Sequence, residues 1–269
     1  MHILMLAFKS IVNRKFTIAL TVFSIALSIM LLLGVERIRN DARESFASTI
    51  SGTDLIIGAR SGPVQLLLYS VFRIGNSTNN VSWKSYEEIK DHRLVAWTIP
   101  FSLGDSHQGF RVLGTNLDYF NHYQYGDQQP LEFSQGKPFS TVYHAVVGAD
   151  VAKELGYSLE QEIVLAHGTG KVSFVQHADK PFRIVGILRK TGTPVDRTVH
   201  VSLEGIEAIH VGWKDGALDL KQPKTVDKTS LLDLQPKTIT AVLVGLKSRL
   251  AVFRVQRYIN EYPKEPLLA

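Results

Sequence analysis

The chain has 269 residues, 30 Lys and Arg against 25 Asp and Glu, nine His and no Cys. Three of the basic residues, Lys9, Arg14 and Lys15, sit together near the start, leaving 27 basic against 25 acidic residues in the remainder. That balance, with no basic patch interleaved with aromatics, excludes a nucleic-acid binder, and the lack of thiols fits an oxidising compartment.

In chain order, residues 1–12 (MHILMLAFKSIV) are apolar on most sides and fit a short helix lying in a membrane interface. From Phe16 to Leu33 the chain carries only apolar or small residues, and no charge occurs between Lys15 and Glu36. Eighteen helical residues span about 27 Å, close to the roughly 30 Å hydrocarbon core of a bilayer. A cleaved signal would have a shorter apolar core and a small-x-small site, whereas here Gly34-Val35-Glu36-Arg37 follows. A buried core helix rarely runs so far without a polar face. The span therefore reads as a retained transmembrane helix. Thr17, Thr21, Ser24 and Ser28 form one stripe along it, each able to bond a carbonyl one turn back. Such a stripe suits packing against another membrane helix, although hydroxyls also tolerate lipid in this way. Lys9, Arg14 and Lys15 before the span place the N-terminus in the cytoplasm and the following 236 residues on the far side.

VERIRNDARESFASTI (35–50) continues the helix into water as a stalk. TDLIIGA (53–59) predicts a buried strand, and SWKSYEEIKDH (82–92) a helix capped by Ser82. RLVAWTIPFSL (93–103) and GFRVLGTNL (109–117) form a predicted hairpin around the polar turn GDSHQ. Residues 121–140 read as a polar loop. HAVVGAD (144–150) leads into a short helix at 151–157, and strands are expected at 162–168, 171–177, 182–190 and 197–203. A helix at 204–213 and a polar, mobile connector at 215–237 precede a strand at 238–248. The last helix, 249–262, is amphipathic, with Leu250, Phe253, Val255 or Gln256, Tyr258 and Ile259 on one side. With the middle set aside, the outer elements approach the βαββαβ order of a ferredoxin-like layer carrying a β-rich insertion. The fold class is α+β, with a transmembrane helix and a two-lobed exported domain.

No constellation argues for catalysis. The nine histidines show neither H-x-H nor H-x-x-x-H spacing, so they read as solvent-facing or hydrogen-bonded, with no metal site. Asp105, Ser106 and His107 in GDSHQG miss the G-x-S-x-G spacing of a nucleophile elbow, and neighbours on a turn do not converge as a triad. HGTGK (167–171) lacks phosphate-loop spacing and reads as a turn. Glu87 and Glu88 read as a solvated helix face. In TGTPVDRTVHVSL (191–203), Gly192 and Pro194 make a turn in which Asp196 caps or pairs with Arg197. Candidate partner contacts are Thr193, Pro194 and Asp196 in that turn, and Tyr123 and Tyr125 of the aromatic segment with Tyr119 and Phe120. The competing reading is that the turn is a strand connection and the aromatics are core.

The stretch MLAFKSIVNRKFTIALTVFSIALSIMLLLGV resembles the opening of permease subunits of MacB-type (type VII) ABC transporters, on Ala7, Lys9, Ser10, Ile11, Arg14, Lys15, Thr17, Leu20 and Thr21. SGTDLIIGA (51–59), VVGADVAKELGY (146–157) and FRIVGILRKTGTP (182–194) are similar to later markers of that family, in order. The resemblance implies a periplasmic core made of a ferredoxin-like porter lobe with an inserted β-rich sabre lobe. The boundaries expected are 1–50 for lead-in, span (about 16–34) and stalk, 51–118 and 238–269 for the porter lobe and start of a return stalk helix, and 119–237 for the sabre lobe. It also implies a subunit of the bacterial inner membrane without catalysis or cofactor of its own. Its partners would be a cytoplasmic ABC ATPase, a second permease in a homodimer or heterodimer, and a periplasmic protein. Such proteins export macrolides or peptides, extract lipoproteins or regulate cell-wall hydrolases. The family carries three further spans, so a sequence ending at EYPKEPLLA is expected to be an N-terminal fragment. The alternative is a single-span anchored binding or sensor domain; a periplasmic hydrolase would need convergent polar residues that the sequence does not display.

Overall fold

The structure, a computed structural model, describes residue 5 and residues 13–168, 180–211, 213–214, 217–218 and 234–269. The expected interfacial helix (bar Met5), the strand at 171–177 and most of the connector at 215–237 lie outside the described residues. Helix α1 (Lys15–Thr49) is continuous for 35 residues. Over Lys15–Asp41 it is long and apolar enough to cross a membrane, so span and stalk are one helix. Thr21 Oγ1 donates to the Thr17 carbonyl, Ser24 Oγ to that of Leu20 and Ser28 Oγ to that of Ser24, each at 2.9 Å. The segment through Ala47 and that from Ser48 to Ala269 are two separate units.

The second unit runs β1 (Leu55–Ala59), α2 (Pro63–Ser70), α3 (Trp83–Lys90), β2 (Val95–His107), β3 (Phe110–Thr115), α4 (Asp118–His122), β4 (Phe133–Gly136), β5 (His144–Val147) and α5 (Ala149–Leu155). It continues with β6 (Glu162–Ile163), β7 (Ala166–His167), β8 (Phe182–Leu188), β9 (Thr198–Ser202), α6 (Leu203–His210), β10 (Ala241–Leu246), α7 (Val252–Asn260) and β11 (Leu267–Leu268). These strands form one sheet in the order β11-β1-β10-β2-β3-β9-β5-β8-β4, with β7 added to β2 and β6 to β8.

The first four strands in that order are antiparallel throughout. They come alternately from two βαβ halves, β1-α3-β2 and β10-α7-β11, which is the split ferredoxin-like layer. Residues 109–117, expected to complete this layer, instead form β3, which pairs antiparallel with β2 and in parallel with β9. The fourth strand of the layer is instead the short Leu267–Leu268 run. The reason is the length of β2: thirteen residues extend about 43 Å, enough to serve both parts. Its Val95–Phe101 half pairs with β10, and Ser102–His107 pairs with β3. Gly104, Asp105 and Ser106 are therefore strand, not turn. The turn is Gln108-Gly109, both at positive φ (51° and 85°), as a tight hairpin requires.

Local signals explain the helices. Ser82 caps α3 as expected, its Oγ accepting from the Ser85 N–H at 3.3 Å, while Tyr86 and Ile89 are buried. In α7 the buried stripe is Ala251, Val255, Ile259 and Tyr262, at spacings of four, four and three. Burying Val255 and Ile259 contributes about 1.5–3 kcal/mol each. Leu250 and Phe253, expected on that face, are 94% and 81% exposed. A 3₁₀ turn over Arg249–Ala251 precedes the helix and fixes its phase so that Ala251 faces inward. The apparent loop at 121–140 follows α4, whose Tyr119 and Phe120 enter a core with Phe101, Leu113, Phe139 and Tyr123.

Candidate functional site

The turn at 191–197 forms one wall of a cleft of about 490 Å³, lined also by Arg73, Phe110, Arg111, Asp150 and Lys190. Thr193 starts a 3₁₀ helix, its hydroxyl accepting from the Val195 N–H. Asp196 is 2% exposed and its carboxylate accepts from the Thr191 N–H (2.8 Å), the Thr191 hydroxyl (2.9 Å) and the Gly192 N–H (2.7 Å). It thus caps the turn, whereas Arg197 pairs with Glu154 and lies over the Phe110 ring. Lys190 Nζ donates to Asp150 at 2.8 Å, which raises the pKa of the lysine. Arg111 donates to the Asn76 side chain and the Gly75 carbonyl, and burial lowers its pKa. Arg73, at φ 60°, stacks its guanidinium 4.5 Å from the centroid of Phe101 and donates to the Ser70 carbonyl, while its buried Nε has no hydrogen-bond partner among the described residues. The cleft thus gathers four cationic groups, of which Lys190 and Arg197 are paired with carboxylates.

A second cluster lies at the far end of β2. Asp105, on β2, is in register with His167 on β7, and His210 ends α6. His167 Nδ1 is 3.2 Å from Asp105 Oδ1, His210 Nε2 is 3.6 Å from the same oxygen, and the two ring nitrogens are 3.3 Å apart. Asp105 is 3% exposed. Burial pushes its pKa up, but hydrogen bonds to His167 and His210 outweigh this and hold it at about 2. Burial pulls His210 down, yet the Asp105 carboxylate raises it overall. The sequence reading found no metal-ligand spacing among the histidines; the three groups converge only through strand pairing and a helix end, 62 and 43 residues apart.

The MacB-like periplasmic core domain model matches residues 18–260. The chain belongs to that family. As a MacB-like chain it carries the periplasmic domain of an ABC transporter permease, together with one N-terminal apolar helix. No curated protein matches it. Among solved structures it is similar to the periplasmic region of MacB from Actinobacillus actinomycetemcomitans, with 12% identity, a TM-score of 0.47, and 82% of this chain and 90% of that one covered. It is also similar to the extracellular domain of the noncanonic ABC-type transporter YknZ from Gram-positive bacteria, with 10% identity, a TM-score of 0.46, and 80% and 97% covered.

In this MacB-like domain Thr193, Pro194 and Tyr125 are half-buried and reach the surface, while Asp196 and Tyr123 serve the interior. The Tyr123 hydroxyl donates to the Thr49 carbonyl, and burial raises its pKa. Ser106 and His107 do not form a nucleophile pair: His107 bonds the Val164 carbonyl (2.7 Å) and the Tyr157 hydroxyl (2.6 Å). Gly168 has φ +90°, as a turn glycine should, and 169–171 lie outside the described residues. Glu88 is more than a solvated face, since Lys264 and Tyr262 bond it and lower its pKa. Arg73 escaped the sequence reading because it stands in no motif; its only signal was a lone cation among apolar Phe72, Ile74 and nearby glycine.

Proposed function

We propose that the chain acts as a permease subunit without catalysis of its own, passing the work of a partner ABC ATPase to the periplasmic domain for export, extraction or signalling. The N-terminus lies in the cytoplasm, the span in a bacterial inner membrane and the domain in the periplasm. The observation that carries this reading is α1: 35 unbroken helical residues, about 52 Å, run from the apolar span to Thr49. A helix without a break transmits displacement rather than absorbing it. The stripe Thr17, Thr21, Ser24 and Ser28 packs against a further membrane helix, either in a second permease copy or elsewhere in the transporter. Thr193, Pro194 and Tyr125 supply the exposed part of a surface for a periplasmic partner protein.

The test is purification of the protein from its native membrane in mild detergent after chemical crosslinking, with mass spectrometry of what it carries. Recovery of an ABC ATPase and a second permease chain is expected. A protein that purifies with neither, under conditions that keep other inner-membrane complexes intact, is an anchored binding or sensor domain instead.

A further inference from the structure

We infer that Asp105, His167 and His210 form a binding site for a divalent transition-metal ion of the zinc type. The inference is independent of the permease reading.

Three observations converge on it. First, spacing: ligands bonded to zinc at about 2.0–2.1 Å stand about 3.3–3.4 Å apart along the edges of a tetrahedron. Asp105 Oδ1, His167 Nδ1 and His210 Nε2 are separated by 3.2, 3.3 and 3.6 Å, so they already outline one face of it.

Second, the tautomer of His210. Its Nδ1 lies 2.8 Å from the Ile206 carbonyl oxygen, which only accepts, so Nδ1 carries the hydrogen. Nε2 then faces the Asp105 carboxylate at 3.6 Å, and unless that nitrogen carries a proton the two groups are both acceptors. Two acceptors facing each other inside a protein call for a cation between them. A ring nitrogen held by a backbone carbonyl is also the usual outer support of a metal-ligating histidine.

Third, the mounting is rigid. Asp105 and His167 are fixed by the β2–β7 register, and His210 closes α6, whose Ile206 and Ile209 are buried. Two imidazoles and one carboxylate suit zinc, cobalt or nickel; calcium and magnesium prefer all-oxygen sites. The His167 side chain is 43% exposed, so the cluster is reachable from solvent. The bound ion would staple the hairpin end of β2, the β7 segment and the end of α6, three stretches far apart in sequence.

The experiment uses the full chain in detergent, stripped with a chelator and dialysed. Zn²⁺ is titrated against a chromogenic competitor, and Co²⁺ is added in parallel to read its visible bands. One equivalent of Zn²⁺ per chain, tetrahedral Co²⁺ bands and a rise in Tm with metal are expected. Asp105→Asn and His210→Gln should each weaken binding roughly tenfold or more, while His144→Gln, away from the cluster, should not. Absence of a bound equivalent, or unchanged affinity in Asp105→Asn, would overturn the site and leave a proton between His210 and Asp105 as what holds the groups together. Should either variant fail to fold, the Co²⁺ spectrum and Tm shift of the unaltered chain decide alone.

Discussion

The Tyr123 hydroxyl donates to the carbonyl oxygen of Thr49, the last residue of α1, at 2.6 Å. Thr49 and Tyr123 are both buried, so the end of the long helix is tied to the aromatic core of the folded unit. Helix ends leave carbonyls that need such partners. Tyr123→Phe keeps the ring and removes only this bond. A loss of about 1 kcal/mol in urea unfolding is expected, with an unchanged m-value. On the permease role proposed above, the same variant should lower transport more than it lowers stability; activity that merely follows stability would refute that transmitting role.

Asp196 is a capping residue. Asp196→Asn replaces one acceptor oxygen by a donor facing two N–H groups and a hydroxyl. We expect a cost of about 2–3 kcal/mol, read by thermal or urea unfolding. Pro194→Ala, on the half-buried side of the same turn, should stay within about 1 kcal/mol of the parent. Equal effects at the two positions would contradict the division of labour in this turn.

His200 is fully buried, its ring nitrogens near the Val146 carbonyl and the Tyr119 hydroxyl, both at 3.3 Å. Burial, aided by the Arg73 guanidinium, lowers its pKa to about 3. The unfolded chain takes up a proton near pH 6.5 and the folded one only near pH 3, so stability is full above pH 6.5 and is lost as pH falls through that window. Between pH 7 and 5 this single group removes about 2 kcal/mol. His200→Gln should flatten that part of the pH–stability curve, even if it lowers the plateau; a parallel curve would show that His200 is not the source.

Phe253 is apolar but exposed, so Phe253→Ser should change unfolding free energy by no more than about 0.5 kcal/mol. Val255→Ala, about 200° round the helix, removes fully buried methyls and should cost about 1–3 kcal/mol. Similar losses at both sites would mean that α7 packs on the other face.

Much of this fold was legible in the sequence because its signals are local. The uncharged run from Phe16 to Leu33, the Ser82 cap, the Gly192-Pro194 turn and the β-branched-rich strands at 182–188 and 198–202 each declare themselves within a few residues. The split βαββαβ order followed from counting elements. What misled was polarity without context. GDSH looks like a turn until β7 pairs beside it and buries Asp105 and His107. Leu250 and Phe253 look like core until a 3₁₀ turn sets the phase of α7. The Asp105–His167–His210 cluster left no local trace, since three chain segments must meet before it exists.

The handover along β2 has one more consequence. Near Phe101 and Ser102 this strand passes from partnership with β10 to partnership with β3, with no unpaired stretch between. A domain joined by a loop can swing; one joined by a shared backbone ladder has no joint to swing on. Bending of the sheet along β2 is therefore concentrated where the register slips between Leu103 and Ser106.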